Sequence, residues 1–227
     1  MRLWGFHSDT FEPRLPDPKA VEALVKAGPA MADLHIDGVK LSCANPAVRL
    51  DLGGYAKGYA LDLAAATLRR EGVRNALINI GGNVMALGSK EGTQWRVGIQ
   101  HPRQSGPMAT IALEDGEAIG TSGDYQRFFE VEGQRYAHLL DPRTGYPADQ
   151  TEAVTVLIPP GPKAGTLSDA TSKPICVAGD KGWREMARKM ESSLVFRVDR
   201  SNQVFVTEAL HKRLEFIGQP PPLTILP

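Results

Sequence analysis

The stretch "NALINIGGNVMALG" at residues 75–88 places apolar, β-prone residues on both sides of a glycine pair. It reads as a buried strand interrupted at Gly81-Gly82 and followed by a second strand. Glycines inside a strand pattern signal either a bulge or a backbone packed close against a ligand. Asn79 and Asn83 flank the pair with amides able to read a ring edge. Outward from this point strand patterns outnumber helical ones. Residues 95–102, 108–123, 126–141 and 152–160 read as strands, with a turn at Glu132-Gly133. "LHIDGVKLS" (34–42) is a hairpin turning at Asp37-Gly38, and 193–210 is another turning at Ser201-Asn202.

Helical signals are fewer. "DPKAVEALVKAG" (17–28) supplies Asp17 as N-cap, Pro18 at the first position and Gly28 as a stop. Residues 56–72 have helical spacing and end in basic residues and Gly72, and 181–191 form a further helix. Residues 1–18 read as an irregular lead-in and 218–227 as a proline-rich tail. Strands in hairpins with helices between them predict an α+β fold, mainly antiparallel sheets with a few flanking helices. No linker divides the chain, so residues 1–227 are expected to form a single domain.

Bulk properties exclude several classes. Lysine plus arginine and aspartate plus glutamate both number 26, giving zero net charge and no basic excess for nucleic acid or a membrane surface. No apolar run approaches a membrane span, and no signal-peptide pattern opens the chain. Cys43 and Cys176 are the two cysteines; one disulfide between them is open, a CxxC metal site is not.

Chemistry concentrates in glycine-bearing clusters. In "LDLGGYAKGYALD" (50–62) a glycine pair precedes Lys57 at the mouth of a helix, where free N–H groups, the helix dipole and an ammonium suit a phosphate. The same spacing also describes a plain strand–turn–helix junction with a solvated lysine. "GTSGDYQRFF" (120–129) crowds Thr121, Ser122, Gly123, Asp124 and Tyr125 together, as a ligand loop or as simple turn chemistry. In "YAHLLDPRTGYP" (136–147) His138 stands in an apolar strand ahead of Asp141. It is either a satisfied core histidine or a base at the edge of a loop. In "SDATSKP" (168–174) Asp169 and Lys173 lie four apart, an ordinary helix-surface pair if helical. Pro174 argues for a helix that starts only at Thr171 or Ser172, which leaves Asp169 in a loop suited to a hard cation.

Taken in order, these clusters resemble the ApbE family of flavin transferases. The matching patterns are LGGxAKGYAxD at 52–62, NIGGN at 79–83, TSGDYxRFF at 121–129, HxLDPxTGxP at 138–147 and, in part, ADAxxT at 168–173. "LWGF" (3–6) is also similar to a family segment that lies well inside the domain. The resemblance therefore implies that about the first third of a typical member is missing here. It implies an ApbE-like fold, FAD as substrate and magnesium as cofactor. It also implies FMN transfer to a threonine hydroxyl of a partner flavoprotein, with release of AMP. A non-catalytic FAD-binding homologue and a pyrophosphatase giving FMN and AMP are the alternatives.

Carried onto this chain, the resemblance makes Asp169 and the Ala56 carbonyl the metal ligands and His138 the base. Lys57, Gly58, Asn83, Ser122, Gly123, Asp124, Tyr125 and Asp141 then bind the nucleotide. It implies a periplasmic or cell-envelope setting and leaves a homo-oligomer open. At the last position of ADAxxT, where the family usually has a metal-binding threonine, this chain has Lys173. An ammonium cannot coordinate magnesium, and its charge can stand in for part of the ion's.

Overall fold

The computed structural model describes residues 1–8 and 13–227. In chain order the elements are α1 (Pro18–Ala27), β1 (Leu34–Asp37), β2 (Lys40–Cys43), α2 (Ala56–Arg70), β3 (Ala76–Ile80), β4 (Asn83–Leu87), β5 (Trp95–Gln100) and β6 (Pro107–Leu113). There follow β7 (Ala118–Gly123), β8 (Phe128–Val131), β9 (Gln134–Ala137), β10 (Thr151–Ile158), α3 (Ala164–Val177) and α4 (Gly179–Lys189). The chain closes with β11 (Val195–Asp199), β12 (Val204–Thr207), α5 (Glu208–His211), β13 (Leu214–Phe216) and β14 (Leu223–Leu226). Contacts divide these elements into two compact units, residues 1–52 with 127–148, and residues 53–126 with 149–227.

The larger unit is built on a seven-stranded sheet in the order β14-β12-β11-β10-β7-β4-β3, antiparallel throughout except for the parallel β12–β14 pair. Val84, Ile119, Leu157, Phe196, Val198 and Val206 from this sheet close a core with Ile99, Met108, Ile111 and Leu113 of the three-stranded sheet β13-β6-β5. Helix α3 packs against β4, β7 and β10, and α2 crosses α3. The smaller unit contains α1 and the hairpins β1–β2 and β8–β9. Its core is Trp4, Phe6 and Phe129, with Leu3, Tyr136 and Leu140 packed around them.

The α+β expectation holds: the sheets are mostly antiparallel and the helices lie beside them. Asp17 accepts the Lys19 amide and Gly28 ends α1 in the left-handed region, as the capping pattern requires. Other readings are corrected. Gly81 and Gly82, at φ of 56° and 90°, form the two-residue turn of the β3–β4 hairpin, in which Ile80 pairs with Asn83. This is a hairpin turn, not a bulge. Four residues beyond Pro222 form strand β14, so the proline-rich tail ends in the sheet. In the lead-in, Trp4 and Phe6 are 2% and 1% exposed, although their backbone is irregular; the part of that reading at 9–12 lies outside the described residues.

The largest correction concerns α3. It begins at Ala164, runs through Pro174 and places Asp169 at mid-helix instead of in a loop. Three side chains of this helix donate to its own carbonyls in the turn before the proline. Thr171 Oγ1 donates to the Leu167 carbonyl, Ser172 Oγ to that of Asp169 at 3.2 Å, and Lys173 Nζ to that of Asp169 at 2.7 Å. Cys43 and Cys176 are both free thiols. No described helix is long and apolar enough to cross a membrane.

Candidate functional site

The polar groups singled out from the sequence fall into two sets, each inside one unit. In the larger unit they line the seam between α3 and the sheet. Helices α2 and α3 approach so closely at Gly58 that a Cβ there would lie 2.2 Å from the Gly165 carbonyl oxygen and 2.8 Å from Asp169 Cβ. A glycine is needed on each side of this crossing, since a Cβ on Gly165 would meet the Gly58 oxygen at 2.6 Å. The crossing lets each helix serve the other's first turn. Asp62 of α2 accepts the Gly165 and Thr166 amides of α3, each at 2.8 Å, and the Thr166 hydroxyl at 2.6 Å. Asp169 of α3 accepts the Gly58 amide of α2 through Oδ2 at 3.1 Å.

Asp169 is 1% exposed and its Oδ1 faces two ammonium groups. Lys173 Nζ donates to it at 2.6 Å, and Lys57 Nζ lies 3.6 Å away. Burial alone would raise the carboxyl pKa, but the bond and charge of Lys173, the Gly58 amide and Lys57 outweigh it and hold Asp169 below the usual carboxylate range. Burial lowers the Lys173 ammonium; Asp169 opposes that shift and Lys57 adds to it. Both lysine stems run under glycines. A Cβ on Gly81 would lie 3.0 Å from Lys57 Cδ, and one on Gly54 the same distance from Lys173 Cδ. The two glycine pairs found in the sequence thus each contribute one residue that covers a lysine of this corner.

The remaining residues of this set are mostly committed to internal bonds. Asn79 accepts the Gly82 amide at 3.0 Å and so closes its own turn. Asn83, 1% exposed, donates to Ser168 Oγ at 3.2 Å, and Ser122 shares a 2.7 Å bond with Ser172. Gly120 makes room for this seam, since a Cβ there would sit 2.3 Å from the Ser168 carbonyl oxygen. The Gly58 amide, which the sequence offered to a phosphate, is donated to Asp169 instead. Asp124 is bound by both nitrogens of the Arg103 fork, at 2.7 and 2.6 Å, and Arg103 also reaches Glu152 at 2.9 Å. Arg103 was missed: it falls just past the stretch 95–102 read as a strand, and nothing beside it in the sequence marks Asp124, 21 residues away, as its partner. The Tyr125 ring lies over Gly123, where a Cβ would come within 2.3 Å of it. Burial, with the Asp124 charge second, pushes its phenol up to about 12 and keeps it protonated.

The smaller unit holds His138 and Asp141. His138 Nδ1 is 3.2 Å from the Arg127 carbonyl oxygen, which also accepts the His138 amide at 3.0 Å. With a proton assigned to Nδ1 by that contact, Nε2 is the basic nitrogen. Arg127 in turn donates to the carbonyls of Phe6 and Ser8, at 3.1 and 3.0 Å. Asp141 closes the turn that follows. It accepts Nε and Nη2 of Arg143 and the Arg143 amide, and its carbonyl takes the Gly145 amide at 2.7 Å. The Arg143 hydrogen bond is the main reason the Asp141 carboxyl sits below its ordinary value. Trp4 Nε1 donates to the Gly145 carbonyl at 2.8 Å, which ties the turn to the aromatic core.

A divalent cation with oxygen ligands needs a carboxylate oxygen that can face it and several further oxygens. Asp169 Oδ1 faces two ammonium groups and Oδ2 holds an amide. Ala56, the first residue of α2, is exposed. Among the described residues no group of three acidic, histidine or cysteine side chains gathers to hold an ion. As arranged here, Asp169 does not fit magnesium.

An antiparallel α+β fold with two lysines gathered on one buried carboxylate defines a protein with an anion-attracting corner beside a helix start. The chain belongs to the ApbE family, whose model matches residues 1–196. A FAD:protein FMN transferase of Rhodobacter capsulatus is 41% identical over all of this chain and 43% of its own length. One from Haemophilus influenzae is 33% identical over 92% of this chain and 61% of its own. The solved structure of an ApbE protein from Thermotoga maritima superposes with a TM-score of 0.83 at 32% identity, covering 93% of this chain and 68% of that one. The flavinyl transferase ApbE of Pseudomonas stutzeri gives 0.77 at 34% identity, over 93% and 66%. The chain spans about half the length of the curated relatives it matches.

Proposed function

We propose that this chain takes part in transferring FMN from FAD to a threonine hydroxyl of an acceptor flavoprotein. The observation that carries this reading is the pair of ammonium groups, Lys57 and Lys173, on the Asp169 carboxylate between Gly54 and Gly81. Their two positive charges against one negative leave a net positive corner suited to a diphosphate. In the proposed reaction the acceptor oxygen bonds to the FMN phosphorus, the bond from that phosphorus to the bridging oxygen breaks, and AMP leaves. Lys57 holds phosphate oxygens as charge moves onto the leaving group. The hydroxyl proton goes to a base, a role that the resemblance alone assigns to His138. The magnesium expected from the resemblance has no part in these steps, because the Asp169 oxygen it would use already faces Lys173. The periplasmic setting and the single functional domain over 1–227 belong to the same proposal.

The test incubates the chain with FAD and a threonine-bearing acceptor domain and follows AMP by chromatography and flavin fluorescence on the acceptor. Equimolar AMP and covalent FMN are expected. AMP without acceptor would make the chain a pyrophosphatase. FAD binding with no product would make it a non-catalytic homologue.

A further inference from the structure

We infer that Lys173 is the resident cation of this corner: its ammonium occupies the place at Asp169 that a divalent ion would take, so the corner binds a phosphate group without metal. Three constraints fix that ammonium. It donates to Asp169 Oδ1 at 2.6 Å and to the Asp169 carbonyl oxygen at 2.7 Å, so two oxygens of one residue hold it. Its stem lies under Gly54, where even a Cβ would come within 3.0 Å of Cδ. The pair is spaced i,i+4 along α3, so helix geometry sets the approach of both side chains.

Charge arithmetic leads to the same assignment. Asp169 contributes one negative charge, Lys57 and Lys173 two positive ones. A divalent ion added at Oδ1 would meet two ammonium groups already there, with one carboxylate to offset four positive charges. An anion meets the opposite balance. The Lys57 ammonium, 3.6 Å from Oδ1 and about a third exposed along its side chain, is the looser of the two and the one able to turn toward a ligand. Lys173 stays on the carboxylate as its counter-ion. The anion half of this inference rests on the function proposed above; the cation half does not.

The experiment uses the whole chain with manganous ion as an electron-resonance probe and inorganic phosphate as the anion. The parent is expected to leave the manganous ion free, whereas Lys173→Met should bind it at least about tenfold more tightly and lose that gain when Asp169→Asn is added. Parent binding as tight as the variant overturns the inference, and so does a folded Lys173→Met that gains nothing. Should that variant not fold, the parent still decides the matter by calorimetry. Phosphate affinity in EDTA is expected to stay within about threefold of its value in excess magnesium. A gain of about tenfold or more with magnesium, or no phosphate binding in either buffer, overturns the inference. The two proposals fail separately. FMN transfer that appears only with added magnesium sinks this inference and leaves the function standing. An inactive chain with the expected manganous-ion pattern does the reverse.

Discussion

The two units support their polar groups in opposite ways. In the larger, the Asp169 carboxylate and its neighbours are inside: Asn83, Ser168, Asp169 and Ser172 are each no more than 1% exposed and bonded to one another, to Ser122 or to a helix amide. In the smaller, the interior is aromatic, with Trp4, Phe129 and Tyr136 in ring contact, and the polar residues lie on a turn resting against them. A buried polar seam is costly if one partner is lost, since each group left behind keeps its desolvation penalty. An aromatic cluster depends on volume and shape and is indifferent to pH. The same fold therefore contains one region sensitive to charge and one sensitive to packing.

Truncation should show this contrast most strongly. Trp4→Ala removes a side chain 2% exposed from the small aromatic core and should cost about 4 kcal/mol, measured by urea unfolding and by faster amide exchange in β8 and β9. Asp169→Ala should cost about 3 kcal/mol with almost no change in buried apolar area, because two lysines lose their counter-charge while keeping part of their surface in water. If Asp169→Ala melts like the parent, the seam is not held by charge and the contrast fails. Asp62→Ala should cost about 1–2 kcal/mol by leaving the first amides of α3 without acceptors, seen as faster exchange at Gly165 and Thr166.

The smallest effect belongs to the turn. Asp141 is held below its unfolded value, so its contribution is fully present above about pH 3.9 and is lost as pH falls through the folded value. The Arg143 side chain is 69% exposed, so less than about 1 kcal/mol is expected. Unfolding midpoints of Asp141→Asn and the parent should converge below that pH. A gap that persists to pH 2 would mean that the loss is not ionic.

How legible these regions were depends on distance along the chain. Hairpins at Asp37-Gly38, Glu132-Gly133 and Ser201-Asn202 were readable because a turn is decided by adjacent residues; the last two stand where the turn chemistry put them, and the first turns one residue later, at Gly38-Val39, with Asp37 paired to Lys40. Helix α3 was not. "TLSDATSKP" combines weak helix formers with a proline, and only tertiary burial between α2 and three strands makes it helical. The roles of Arg103 and Trp4 were hidden for the same reason: their partners lie 21 and 141 residues away. The candidate site was legible as a list of residues but not as an arrangement. The sequence placed Asp169 and Lys173 four apart without showing that the carboxylate is buried and the ammonium faces it.

The reciprocal bonds between α2 and α3 also bear on the order of folding. Asp62 and Gly165 are 103 residues apart, and Gly58 and Asp169 are 111. Contacts at that separation carry a large loop-closure entropy and form only after the intervening strands have been laid down. As the chain leaves the ribosome, Lys57 emerges long before Asp169 and Lys173. Until those follow, α2 lacks the carboxylate that closes its first turn, and the lysine corner does not exist. The lysine corner is therefore a late product of folding, and a nascent chain that ends before α3 carries the glycine loops and Lys57 without the carboxylate and the second ammonium that complete it.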